Sequence, residues 1–238
     1  MFETGQFDTT YHEHIHFFTA HSFQSIADLT GMRIENFEIV SIHGRSCLVT
    51  FVKKSGAQRL DSLSFTMNQR LSHEKEQGVT EDFYFARFRY RAKNVQQWIH
   101  AKLNMFGEEG HEVIGYGAAA KGIVLLHSLL ALPDAKYNFA AVIDDEPFKQ
   151  GRFCPGTAIP VKPSSALSSE SLAESSEGTR PLVIVIFAWN FASEIQDKLA
   201  VALKDSTRDV KLLIPFPETR LVSMSSPRTE TAVVSKMR

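Results

Sequence analysis

The spacing of apolar positions along the chain changes repeatedly, and each change predicts a different kind of element. Phe23, Ile26 and Ala27 recur at helical spacing, which predicts a short helix entered at Ser22 and stopped at Gly31. The stretches Arg33 to Ile42 and Cys47 to Lys54 read as strands joined by a hairpin turn at His43-Gly44-Arg45-Ser46. One helix and two strands bury too little to form a core alone. From about Ala57 to Phe106 the pattern is helical and charged, with a break at Gly78-Val79-Thr80. Its second helix carries Val95, Trp98, Ile99, Leu103 and Phe106 on one face, as a connecting arm or a packing platform would.

From His111 onward short apolar runs alternate with helical patterns. Strands are expected at Glu112 to Tyr116, Phe139 to Ile143, Leu182 to Phe187 and, last, Val210 to Ile214. A helix is expected from Gly117 to Leu132 and another, after the Leu182 to Phe187 strand, through Leu203, with a Gly/Pro-punctuated loop from Pro147 to Pro163 and a Ser-rich connection after it. Strands that are apolar throughout and separated by helices predict an α/β fold with a parallel sheet covered on both faces. The Ser/Thr-rich tail after Val222 is expected to be disordered.

Composition narrows the function classes. Twenty-six basic against 27 acidic residues lack the one-signed excess of a nucleic-acid or membrane-surface binder. The two cysteines, Cys47 and Cys154, are expected to be buried thiols, since they have neither the number nor the spacing of a disulfide framework or a zinc site. No basic-then-apolar leader opens the sequence and no apolar run approaches a membrane span, so a cytoplasmic protein is expected.

Four segments hold candidate chemistry. Tyr11-His12-Glu13-His14-Ile15-His16, with His21 behind it, concentrates groups that titrate near neutral pH beside a phenol and a carboxylate, as a general base requires. His12, Glu13 and His16 also spell H-E-x-x-H, but β-branched and aromatic neighbours disfavour the helix that motif needs, and no metal is assigned. Gly115-Tyr116-Gly117-Ala118-Ala119-Ala120-Lys121-Gly122 satisfies G-x-G-x-x-A between a strand and a helix, with Asp144 and Asp145 placed to take a ribose hydroxyl. Its bland alternative is a tight turn that only joins strand to helix. Lys149 to Thr157 forms a polar loop, and Trp189-Asn190 leaves a strand end where a ring can stack and an amide can bond, or where a Trp merely caps the core.

Taken in series, these segments resemble the sugar C-methyltransferases that act on a nucleotide-linked 4-keto-deoxysugar. The match runs through Phe7 to His14, His43 to Ser46, Gly115 to Gly122, Asp144 to Thr157 and Trp189 to Phe191. The resemblance implies a C-terminal fragment of a class I methyltransferase domain over residues 1–55, a helical arm over 56–110, a Rossmann-like C-terminal domain over 111–222 and a tail over 223–238. It implies proton abstraction beside the ketone followed by methylation from S-adenosylmethionine. His14 would be the base, and Glu13 and Tyr11 its neighbours. Gly115, Tyr116, Gly117, Lys121, Gly156, Thr157, Trp189 and Asn190 would contact the nucleotide sugar. No cysteine cluster or Gly-rich donor turn precedes Tyr11, so the donor site is expected largely outside this chain, on a partner chain or in a homo-oligomer. Arg45 stands where the family pattern has a second glycine. A non-catalytic nucleotide-sugar module and an NAD(P)-dependent enzyme are the alternatives.

Overall fold

The structure is a computed structural model that describes residues 1–40, 46–54, 65–167, 180–204, 206–224 and 229–231. It divides into two compact units, Glu13–Arg87 and the combination of Met1–His12 with Phe88–Arg238.

In the smaller unit α1 (Ala20–Thr30) begins earlier than its apolar face suggests. Thr19 is its N-cap, its hydroxyl accepting from the Ser22 amide while the Ser22 hydroxyl accepts from the Thr19 amide at 2.8 Å. Ser22 is therefore the third residue of a capping box rather than the entry point. Gly31 closes the helix with φ 67, as expected. β1 (Met32–Val40) and β2 (Ser46–Lys53) pair antiparallel, with Val40 opposite Ser46. The connection expected at residues 43–46 falls mostly outside the described residues. A register shift between Ile34 and Asn36 brings Ile34 and Phe37, three positions apart, to the same buried face. They pack with Ala20, Ala27 and Met67, the last from α2 (Phe65–Glu76). Buried Glu74 of α2 accepts from the Ala20 amide at 2.8 Å and from His21 Nδ1 at 2.9 Å, capping α1 from a neighbouring helix. Cys47 is exposed, against expectation, because β2 turns that side chain away from this one-sided core; Cys154 is buried.

The larger unit has the expected α/β, Rossmann-like fold. Its strands are β3 (Glu112–Tyr116), β4 (Phe139–Ile143), β5 (Val161–Lys162), β6 (Leu182–Ile186), β7 (Val210–Ile214), β8 (Arg220–Ser223) and β9 (Thr229–Thr231), in the spatial order β5-β4-β3-β6-β7-β8-β9. The first five are parallel and the last two antiparallel. Every residue of β6 is buried, which explains its unbroken apolar run. β5 lies inside the expected loop, where two residues pair without leaving a period to read. β8 escapes the sequence pattern because all four of its residues are half-buried. Residues 225–228 and 232–238 of the tail are outside the described residues.

Three helices cover this sheet: the part of α3 (Asp82–Glu108) from Phe88 on, α4 (Ala120–Leu130) and α5 (Ala192–Ala202). Val95, Ile99, Leu103 and Phe106 of α3 are at most 2% exposed and join the main core, so this stretch is a packing platform. Among the described residues no helix is long and apolar enough to cross a membrane.

Glycine sets how closely α4 meets the sheet. A Cβ on Gly115 would lie 2.3 Å from the Phe187 ring, and one on Gly122 would lie 2.7 Å from both Phe187 Cβ and the Gly117 carbonyl oxygen. Gly117 adds a φ of 98 and would meet Ala188 Cβ at 2.5 Å. Helix propensity alone favours Gly122→Ala by roughly 1 kcal/mol. The contacts reverse that sign, and overpacking should destabilise the chain by about 1–3 kcal/mol, read as a lower urea midpoint.

Candidate functional site

β3 continues into β4 on one side while β6 pairs on its other side, so the strand order reverses between β3 and β6. Right-handed crossovers then put α4 and α5 on opposite faces and open a crevice at the carboxyl ends of these two strands. Three segments converge there: the Gly117–Ala119 turn after β3, Asp144-Asp145 after β4, and a 3-10 turn at Trp189–Phe191 after β6.

The most buried polar cluster joins this edge to the start of the chain. A 3-10 turn at Phe7–Thr9 packs on α4, and its Asp8 is 0% exposed. Trp189 Nε1–H donates to Asp8 Oδ2 at 2.6 Å, whereas Asp8 Oδ1 is buried without a hydrogen-bond partner. The Lys121 ammonium lies 4.3 Å from the centre of the Trp189 ring and donates to Asn190 Oδ1. Burial pushes the Asp8 carboxyl up to about 6, opposed by the Trp189 hydrogen bond and the charge on Lys121. Burial also lowers Lys121, and Asp8 works against that shift. Lys121, Trp189 and Asn190, three of the residues expected to meet a ligand, are thus brought together. Asp8 was legible only as part of the matched segment, since its partner is 181 positions away.

The Gly-rich turn is closed differently from a phosphate loop. The Gly117 amide donates to the Ile143 carbonyl at 2.7 Å and the Ala118 amide to Asp144 Oδ2 at 2.7 Å. Asp144 also takes the Glu146 amide at 2.9 Å and Lys149 Nζ at 3.0 Å. Its carboxylate stands where a phosphate would seek those donors, so it is not the free ribose partner that spacing predicts. Asp145 is held below the usual carboxylate range chiefly by the Lys198 hydrogen bond at 2.8 Å, and accepts the Tyr116 hydroxyl at 3.1 Å. Tyr116, Asp145, Ser164, Leu167, Lys198 and Leu199 line a cleft of about 790 Å³, a volume that suits a small organic ligand.

Gly156 and Thr157 sit apart from this cluster, in the turn of the Lys149 to Thr157 loop. Thr157 Oγ1 donates to the Cys154 carbonyl at 2.9 Å and accepts from the Ile159 amide, while His127 Nε2 reaches Pro155 O at 2.8 Å. These bonds build the turn. Of the His-rich segment, Tyr11 and His12 belong to the larger unit, Glu13 and His14 to the smaller. His14 is exposed, its ring 6.4 Å from that of Phe17. Residues 14–19 are not helical, so His12 and His16 do not share a helix face as H-E-x-x-H requires.

The strand order and helix placement define a Rossmann-like α/β domain with a crevice at its switch point. The family described as the C-methyltransferase C-terminal domain matches residues 41–217, and the chain belongs to that family. It is similar to the C-methyltransferase NovU of Streptomyces niveus, 28% identical over 226 residues, which are 95% of this chain and 50% of that protein. The chain therefore spans about half the length of that curated relative.

The buried carboxyl gives a signed pH dependence. Between about pH 4 and 6 folded Asp8 holds a proton that the unfolded chain has released, so its contribution to stability is lost as pH rises through about 6. The shift corresponds to about 3 kcal/mol at neutral pH. Asp8→Asn keeps an acceptor for Trp189 without the charge. It should raise stability by about 1–2 kcal/mol at pH 7–8 and flatten this part of the pH profile, measured by urea unfolding.

Proposed function

We propose that this chain is a C-terminal portion of an S-adenosylmethionine-dependent C-methyltransferase that acts on a nucleotide-linked keto-deoxysugar. The observation that carries this reading is the family match over residues 41–217. The motif series from Phe7 to Phe191 supplies the sugar class, and the crevice supplies polar groups suited to a nucleotide. Lys121 offers a cation to phosphates, Asn190 an amide and Trp189 part of the wall. His14 takes the base role, with Glu13 and Tyr11 as polar neighbours. A neutral imidazole removes the proton beside the ketone, whose carbonyl spreads the resulting charge.

The described residues do not fit the methyl donor. Their Gly-rich strand-turn-helix has its first two turn amides taken by Ile143 and Asp144, and its glycines are filled by Phe187 and Ala188. We place the donor site largely outside this chain, on a companion segment, a partner chain or a second copy, in a cytoplasmic setting. A binding module without catalysis is the second reading, favoured by the formed cleft beside Tyr116 and Asp145. A nicotinamide cofactor is disfavoured because its pyrophosphate would compete with Asp144 for the Ala118 amide.

Deuterium exchange separates these readings without the donor. In D2O the chain should wash deuterium into a dTDP-linked 4-keto-deoxysugar at the carbon beside the ketone. His14→Ala should slow this by roughly 10²-fold or more, with dTDP affinity nearly unchanged and His16→Ala mild. Undiminished exchange in the His14→Ala protein would move the base to Glu13 or Tyr11. Binding without exchange in the unaltered chain would favour the module.

A further inference from the structure

Asp8 is a costly way to satisfy Trp189. The indole needs one acceptor, and an asparagine oxygen would supply it without burying a charge. What asparagine lacks is the negative charge facing Lys121. Lys121 is itself drawn over an aromatic ring and into partial burial, a setting that favours its neutral form. The second carboxylate oxygen, Oδ1, is fully shielded from solvent, so the group is not placed for solvation. Asp8 and Lys121 meet the same indole, the carboxylate at its N–H and the ammonium 4.3 Å from its ring centre. The Phe7–Thr9 turn that carries Asp8 leads directly to Tyr11 in the same unit.

We propose that Asp8 is the positioning residue of the crevice, with two linked effects. Through Trp189 it pins the Phe7–Thr9 turn and so fixes the point from which the chain departs toward Tyr11. Across the same indole, whose ring centre lies 4.3 Å from the Lys121 ammonium, its negative charge favours the ammonium that an anionic ligand, the phosphates of a nucleotide, would meet. The second effect rests on the nucleotide-sugar reading above; the first does not. A single carboxylate thus sets both the approach of the Tyr11 segment and the charge of the ligand site. This accounts for an ionisable group where a neutral one would be more stable.

In the full chain Asp8→Asn tests the charge effect, and Trp189→Phe, which removes the anchoring donor while leaving the carboxylate, tests the pinning. Hydrogen exchange followed by mass spectrometry should show residues 1–12 less protected in the Trp189→Phe protein, with secondary structure by circular dichroism retained. The Lys121 ammonium, followed by ¹³C-lysine NMR and assigned with Lys121→Gln, should titrate at lower pH in Asp8→Asn than in the unaltered chain. Calorimetry with dTDP should then give about fivefold weaker binding to Asp8→Asn, with affinity failing at lower pH, as expected when a charged partner is lost. Unchanged protection of residues 1–12 in Trp189→Phe would overturn the pinning role. An unchanged Lys121 titration in Asp8→Asn would overturn the charge role. If the unaltered chain binds no dTDP while both shifts appear, Asp8 keeps its role and the nucleotide reading fails instead.

Discussion

The close approach of the β3–α4 turn to the end of β6 is the constraint on which the larger unit depends. Phe187 and Ala188 fill the spaces that side chains at positions 115, 117 and 122 would occupy, and the Phe187 and Ala188 amides both donate to the Tyr116 carbonyl at 2.9 and 3.1 Å. Because the two strand ends are clamped in this way, Trp189, which follows Ala188, meets Lys121 from the helix begun beside Gly117. Their ring–cation contact at 4.3 Å is a consequence of backbone packing. Glycine here works by absence, and any methyl group at these positions would move the site.

That clamp also explains why a buried acid can be tolerated. Asp8 accepts from the indole whose ring carries the Lys121 ammonium, so its charge is partly compensated where it would otherwise be expelled. The compensation is incomplete, as the raised carboxyl and the unpaired Oδ1 both indicate. A stability optimum would place a neutral residue there. An arrangement that keeps the charge favours function over stability, the usual relation at ligand sites.

Sequence periodicity was most informative where one physical effect dominates. The runs at Glu112 to Tyr116, Phe139 to Ile143 and Val210 to Ile214 coincide with strands, because burial on both faces leaves little room for any other composition. Boundaries failed where side chains, not burial, fix the end, as when the Thr19–Ser22 box opens α1 ahead of its apolar face. β8 failed because half-buried residues carry no clean alternation. Lys121, Trp189 and Asn190 were legible as candidates from motif context. Asp8 was legible only within the matched Phe7 to His14 segment, because the indole it serves lies 181 positions away. Gly156 and Thr157 are candidates through the family resemblance, and the bonds the Thr157 side chain makes are those of its own turn.

The Gly-rich turn shows why spacing over-reads this kind of sequence. The same pattern that lets a phosphate approach a helix start also lets a helix approach a strand, because both need a missing Cβ. What separates the two is the fate of the turn amides. Here Asp144, the next acidic residue in the pattern and the one expected to take a ribose hydroxyl, turns back to accept the Ala118 amide and is itself held by Lys149. An internal carboxylate already supplies the negative charge that the helix start favours. A second anion at that point would meet repulsion from Asp144 as well as lost hydrogen bonds. Lys121 is a cation beside the end of β6, 4.3 Å from the centre of the Trp189 ring. On the nucleotide-sugar reading proposed above, ligand phosphates would be directed away from the turn that the motif advertises and toward the Trp189-Asn190 end of β6.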